Sequence, residues 1–266
     1  MLTNFHTHTT FCDGKNTAEE MVLSAIDKGF SVLGFSGHGF TTFDTSYCML
    51  DTDAYCQEIR RLQAVYADKI DILLGVEEDA HYPLKDDRFE YRLGSSHYVL
   101  KDGVYYPLDL SYEKLLKAVT AYDGDTHAFA TDYYEQFCTY IHHYKPDIIG
   151  HFDLITKYDE KNDPLFFGDE TYYQIAEHYL LDALRSDCLF ELNTGAISRG
   201  HRTTPYPHER LLHTLCKNDG KIILSSDSHR ADTLDCGFDD AIVLLKDCGF
   251  THRYTLTKDG IKQIAL

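Results

Sequence analysis

Nine side chains of metal-binding type recur along the chain at the ends of short apolar runs. They are His6 and His8 in F-H-T-H-T, Asp13 in C-D-G, His38 in F-S-G-H-G and Glu77 in L-L-G-V-E. His97 in G-S-S-H, His151 in I-I-G-H-F-D, and Asp227 with His229 in S-S-D-S-H complete the set. Imidazole nitrogens and carboxylate oxygens are preferred donors for Zn, Mn and Fe(II). The set is too large for one tetrahedral ion. It suits two or three ions sharing a bridging carboxylate, which is the chemistry of a hydrolase. In His6-x-His8 the side chains of an extended backbone alternate, so both rings fall on one side and can reach one ion. Asp227-x-His229 repeats the pattern.

Other residues suit an anionic substrate. Arg199, in T-G-A-I-S-R-G-H-R, carries a guanidinium able to grip two phosphate oxygens, with Arg202 in the same loop as a weaker candidate. Lys157, six residues past His151, offers a second positive charge. Glu191 and Asn193, in F-E-L-N-T-G, are expected either to receive a substrate amine or imidazole or to support the ligands from behind. Asp227 is a candidate proton donor to a leaving alkoxide. His127, His142, His143, His178, His201, His208, His213 and His252 lack a strand-end setting and read as surface or helix residues. No nucleophilic Ser, Cys or Asp motif stands out, so direct attack by water is expected rather than a phosphoenzyme.

Strands and helices must position these groups, and the hydrophobic pattern alternates between them from end to end. Short strands are expected at Leu2–Phe5, Ser31–Ser36, Ile70–Val76, Arg92–Ser95, Asp147–Gly150, Cys188–Leu192 and Lys221–Ser226. A capping box, Thr17-Ala-Glu-Glu20, opens a helix that Gly29 stops. Further helices are expected over 53–67, twice within 111–144, over 170–186, after Tyr206-Pro-His-Glu and near 239–248, with a short strand at 253–256 closing the chain. Alternation of this kind implies a mostly parallel sheet. Candidate ligands follow six different strands, which favours a closed β/α barrel over an open sheet with one switch point. The expected fold is therefore an irregular seven-stranded β/α barrel, with a helical insertion between strands 4 and 5 lying over the site. The absence of a linker or repeat makes residues 1–266 one domain.

The chain carries a formal charge of -18, which argues against nucleic acid or an anionic membrane as a partner. No run of about 18 apolar residues is present, and the N-terminal stretch lacks the basic and apolar segments of a signal peptide. The 8 cysteines form no C-x-x-C pair and read as reduced thiols of a cytoplasmic protein. Cys12, beside Asp13, is the one closest to the candidate ligands.

The motifs H-T-H-T-T-F-C-D-G, G-F-S-G-H, G-V-E, G-S-S-H, I-G-H-F-D-L and S-S-D-S-H resemble those of the polymerase-and-histidinol-phosphatase (PHP) superfamily. I-I-G-H-F-D-L-I-T-K-Y and F-E-L-N-T-G resemble its monofunctional histidinol-phosphatase branch. The resemblance runs from His6 to His229 and includes the insertion. It implies an irregular seven-stranded barrel, three ions of zinc, iron or manganese per chain, and hydrolysis of L-histidinol phosphate in histidine biosynthesis. In that scheme His6, His8, Glu77 and Asp227 hold one ion. Glu77 bridges to a second, held also by His97 and His151, and Asp13, His38 and His229 hold the third. Gly37 departs from the superfamily, which often has Asp before this histidine. The alternatives are another PHP-type phosphoesterase or nuclease, or a metal-binding module without activity. The resemblance leaves oligomeric state open.

Overall fold

The computed structural model describes residues Met1 to Leu266. The first half runs β1 (Leu2–Asn4), α1 (Ala18–Asp27), β2 (Phe30–Phe35), α2 (Thr52–Val65), β3 (Asp71–Asp79) and β4 (Tyr91–Ser95). A hairpin of β5 (Tyr98–Lys101) and β6 (Val104–Pro107) then precedes α3 (Tyr112–Thr120) and α4 (Thr126–Tyr144). The second half runs β7 (Ile148–Ile149), α5 (Glu170–Ala183), β8 (Leu189–Asn193), α6 (Gly195–Ser198), α7 (Glu209–Lys217), β9 (Ile222–Ser225) and α8 (Phe238–Asp247). An antiparallel pair, β10 (His252–Thr257) and β11 (Gly260–Ala265), ends the chain.

The result is an α/β fold around one sheet of nine strands, ordered β1-β2-β3-β4-β7-β8-β9-β10-β11. The strands from β1 to β9 in that order pair in parallel. The expected count of seven is thus corrected: β10 adds in parallel to β9, and β11 folds back on β10. Beyond the strand ends, Thr7 bridges Ser228 in parallel, with His8 N donating to Ser228 O (2.8 Å) and Ser228 N to His6 O (3.0 Å). The segments leaving β1 and β9 are joined there.

The insertion between β4 and β7 is also corrected, since it opens on a hairpin before its two helices. Asp102 (φ 50°) and Gly103 (φ 78°) take the two positive-φ positions of the tight turn, as a two-residue hairpin loop requires. Most of the core packs helices against the sheet. A smaller cluster on the other face takes Phe5, Val32, Leu73, Tyr91, Ile148 and Ile223 from successive strands or their ends. Tyr91 fills its centre and donates its hydroxyl to Phe5 O (2.8 Å) and Phe35 O (3.0 Å). Each strand can then end in polar residues above an apolar plug. The Thr17 capping box forms as expected, with both reciprocal hydrogen bonds present.

Candidate metal centre

All nine sequence-identified donors converge where the parallel strands end. His6 and His8 follow β1, His38 follows β2, and Glu77 lies inside β3, which runs three residues past its expected end. His97 follows β4, His151 follows β7, and Asp227 and His229 follow β9. Asp13 arrives from the loop before α1. Gly14 makes this approach possible, because a Cβ there would lie 2.5 Å from Thr9 N and 2.6 Å from His8 C.

Glu77 lies at the middle. Its Oε2 faces His38 Nδ1 (2.9 Å), His6 Nε2 (3.1 Å) and His8 Nε2 (3.5 Å), while Oε1 faces His151 Nε2 (3.2 Å) and His97 Nε2 (3.3 Å). Asp227 Oδ1 faces His8 Nε2 (3.2 Å) and His6 Nε2 (3.5 Å). His229 Nε2 lies 3.2 Å from Asp13 Oδ2, and His38 Nε2 3.7 Å from Asp13 Oδ1. Four sets have donor atoms close enough to share an ion: His8, Asp13, His38 and His229; His6, Glu77 and His151; His6, His8 and Asp227; and His38, Glu77 and His97.

These donors fit divalent cations on a further ground. His6 Nε2, His8 Nε2, Asp13 Oδ1 and Glu77 Oε2, all facing the cluster, are buried side-chain atoms without a hydrogen-bond partner. Buried polar atoms are normally satisfied, and leaving one unpaired costs about 1–3 kcal/mol. Four orphans in one cluster mark a place where something other than protein completes the bonding.

Without metal, Glu77 and Asp227 and the imidazoles of His6, His38 and His97 favour one another's charged states, while His8 is neutral. Burial lowers the basicity of His6, but Glu191, Glu77 and Asp227 outweigh it and leave the ring raised well above the usual imidazole range. His38 and His97 are raised too, against burial, with Glu77 the largest opposing cause in both. Burial, with His229 and His38 adding to it, drops His8 to about 3. Glu77 and Asp227 resist burial and stay well below the carboxylate range, the first through His6, His38 and His97, the second through Arg199 and His6.

A second layer aims the donors. Glu191 Oε1 pairs with His6 Nδ1 (2.7 Å), and its Oε2 accepts from His151 N (2.9 Å) and Asn193 Nδ2 (2.9 Å). Glu191 and Asn193 are buried behind His6 and do not line the cavity. The expectation that they receive a substrate amine is therefore corrected in favour of the other one, support of the donors from behind. Asp79, not singled out in the sequence, accepts from His97 N (3.2 Å) and faces His97 Nδ1 (3.5 Å). Its spacing of two from Glu77 on one strand was the available signal. Arg199 donates through Nη2 to Asp227 Oδ2 (2.7 Å) and through Nη1 to Asp227 O (2.9 Å). This clamp holds Asp227 at φ 47°, the left-handed region, which costs a residue with a Cβ about 1–2 kcal/mol. Arg202 is buried, bonded to Thr156 Oγ1 (2.8 Å) and stacked over Tyr206, outside the cavity lining. Where the superfamily often has Asp, Gly37 leaves space filled by Met49 and Cys12, whose sulfurs would lie 3.1 and 3.4 Å from a Cβ there. Burial and Asp13 push the Cys12 thiol up to about 11, so it stays protonated at neutral pH.

Above the donors opens a cavity of about 430 Å³. Lys157, Arg199 and His201 line it, so His201 belongs to the cavity wall, contrary to the reading of a surface histidine. Lys157 Nζ donates to Asp109 O (2.7 Å) and lies 3.3 Å from Asp109 Oδ2.

Residues 4–195 match the model of the PHP domain. The chain belongs to the PHP family. Among curated relatives, a Schizosaccharomyces pombe protein inferred to be a histidinol-phosphatase is 28% identical, over 95% of this chain and 89% of its own. The histidinol-phosphatase of Lactococcus lactis is 26% identical over 96% and 93%. The crystal structure of a Lactococcus lactis histidinol phosphate phosphatase, complexed with zinc, L-histidinol and phosphate, superposes with a TM-score of 0.71 at 22% identity and 98% coverage of both chains. A Listeria monocytogenes protein assigned to the same activity gives 0.76 at 22%, over 90% of this chain and 99% of its own. At that identity the structural likeness speaks for the fold.

Proposed function

We propose that this PHP protein is a metal-dependent phosphomonoesterase acting on L-histidinol phosphate, releasing L-histidinol and phosphate. The observation that carries the reading is the convergence of nine donors, four with orphaned atoms facing the cluster, beneath a cavity lined by Arg199 and Lys157. Its full-length curated relatives of the same named activity support it. We assign the metal-binding role to His6, His8, Asp13, His38, Glu77, His97, His151, Asp227 and His229, with Glu77 shared. Divalent cations held there, three per chain of zinc, iron or manganese, supply Lewis acidity and make a water nucleophilic near neutral pH.

The chain's own residues do the rest. Arg199 and Lys157 neutralise charge on the phosphoryl oxygens as it grows in the transition state. Arg199 occupies Asp227 Oδ2 and leaves Oδ1 facing the donor cluster, where Asp227 is the candidate to hand a proton to the departing alkoxide. The Thr7–Ser228 bridge and the small apolar cluster support reading the seven sheet strands from β1 to β9 as an irregular barrel, and the whole chain as one catalytic domain. The free thiols and the acidic surface suit a cytoplasmic enzyme of small metabolites rather than of nucleic acid or membrane. No helix is long and apolar enough to cross a membrane.

Assays of the metal-loaded protein on histidinol phosphate, glycerol phosphate, a nucleoside monophosphate and a single-stranded oligonucleotide test this directly. Histidinol phosphate is expected to exceed glycerol phosphate by at least about 10²-fold in kcat/KM, equivalent to roughly 2.7 kcal/mol. Equal rates on the esters, preferential cleavage of the oligonucleotide, or no hydrolysis at all would overturn the assignment.

A further inference from the structure

The cavity wall is not uniformly cationic. Asp109 lines it with a side chain 31% exposed. Its main-chain oxygen accepts from both Lys157 Nζ (2.7 Å) and Tyr158 OH (2.6 Å), so the backbone that presents the carboxylate is pinned. Lys157 binds that main-chain oxygen more closely than the side chain, whose Oδ2 stands 3.3 Å away. Burial favours the neutral acid, yet Lys157, His97 and His151 hold the carboxyl down to about 2. A permanent negative charge on the wall of a phosphate-binding chamber repels a dianion and weakens any ester that brings no compensating charge. Nearby, Tyr47 and Tyr98 stack at 6.4 Å and 24°, and Tyr98 OH donates to Asp44 Oδ2 (2.6 Å). Both tyrosines line the cavity too, giving this part of the wall aromatic surface beside the carboxylate.

We propose that Asp109 is the specificity-determining residue of the site, receiving the protonated amine of a phosphomonoester whose amine lies a few bonds from its phosphate. Tyr47 and Tyr98 offer their surfaces to the ring such a substrate carries. The proposal rests on the phosphomonoesterase reading above. It also explains why an anion is kept where a simple phosphatase has no use for one: the charge that repels a bare phosphate ester is the one that attracts an aminated ester.

The test compares wild type with Asp109→Asn, which keeps the shape and an acceptor for Lys157, on three substrates: histidinol phosphate, the same ester lacking the amine, and glycerol phosphate. Metal content and thermal midpoint are measured alongside to establish that the variant is folded and loaded. The expected result is a KM for histidinol phosphate raised roughly 10- to 100-fold, with KM for both amine-free esters lowered as the repulsion disappears. A parallel loss on all three esters would overturn the proposal and reduce Asp109 to a support for Lys157, as would no change on any. A wild type that prefers histidinol phosphate and a variant equally selective would sink the role of Asp109 alone. A wild type without that preference would remove the substrate assignment and this proposal together.

Discussion

Glu77 is the side chain on which most of the cluster turns, because its two oxygens face different histidines within 3.5 Å. An amide in its place keeps the shape but loses the charge and replaces one acceptor by a donor. Glu77→Gln is therefore expected to lower turnover by several orders of magnitude, with near-wild-type circular dichroism. Near-normal kcat at normal metal content would show that Glu77 bridges nothing. Arg199 serves two partners, the Asp227 carboxylate and the cavity. Arg199→Ala should reduce kcat/KM roughly 10- to 150-fold, the size of a charge-assisted contact of about 1.5–3 kcal/mol. It should also weaken metal retention, since Asp227 loses its clamp; elemental analysis beside the kinetics checks both. Glu191→Gln removes the carboxylate behind His6 and should cost about 10- to 100-fold in metal affinity, read by competition with a chelator. At this scale the sequence was legible for the donors, because strand-end histidines and carboxylates announce themselves by type and by spacing. For Glu191 it left two roles open, and it was silent on Asp79 and Asp109, whose roles depend on which neighbour the fold sets beside an ordinary acidic residue.

Elements decide whether those side chains meet. The helix α6, only four residues long, turns the chain after β8 so that Arg199 reaches back to Asp227. Gly195 opens that helix against the pair: a Cβ there would lie 2.7 Å from Asp227 Cβ and 2.9 Å from Arg199 Nη2. Gly195→Ala should consequently disturb activity far more than folding. Its kcat/KM is expected to approach that of Arg199→Ala, with a small shift in thermal midpoint, and unaltered kinetics would mean that the pair yields without consequence. The parallel strands and their helices were readable from alternating periodicity and from caps such as Thr17 and Gly29. The β5–β6 hairpin was not read, although Asp102-Gly103 forms its turn, and of the last hairpin only the strand at 253–256 was expected, not its partner across the Lys258-Asp259 turn. The β5–β6 hairpin carries Tyr98 to the cavity, so missing it also hid one wall of the site.

Across the whole molecule, protonation and metal binding compete for the same atoms. His6, His38 and His97 are held protonated by their carboxylates when metal is absent, since their basicity lies above the usual value near 6.5. Metal binding must expel those protons, so affinity is expected to rise with pH and fall on acidification. Titration calorimetry with zinc near pH 7, in two buffers of different ionisation enthalpy, should report net proton release; none would contradict the charge states described. The donors that converge were legible in sequence at this scale, but the collective protonation was not, because it arises only when buried charges face one another. The join between the two ends of the chain has a further consequence, in time rather than in space. Asn4 Nδ2 meets Ser226 Oγ across 222 positions, and the Thr7–Ser228 bridge spans almost the same distance. During synthesis the first histidines therefore leave the ribosome long before Asp227 and His229 exist to meet them. Contacts so remote along the chain form late. The ion-binding cluster is thus an end-of-assembly product: a nascent or truncated chain offers scattered imidazoles, and the full cluster comes together only once the last parallel strand has docked.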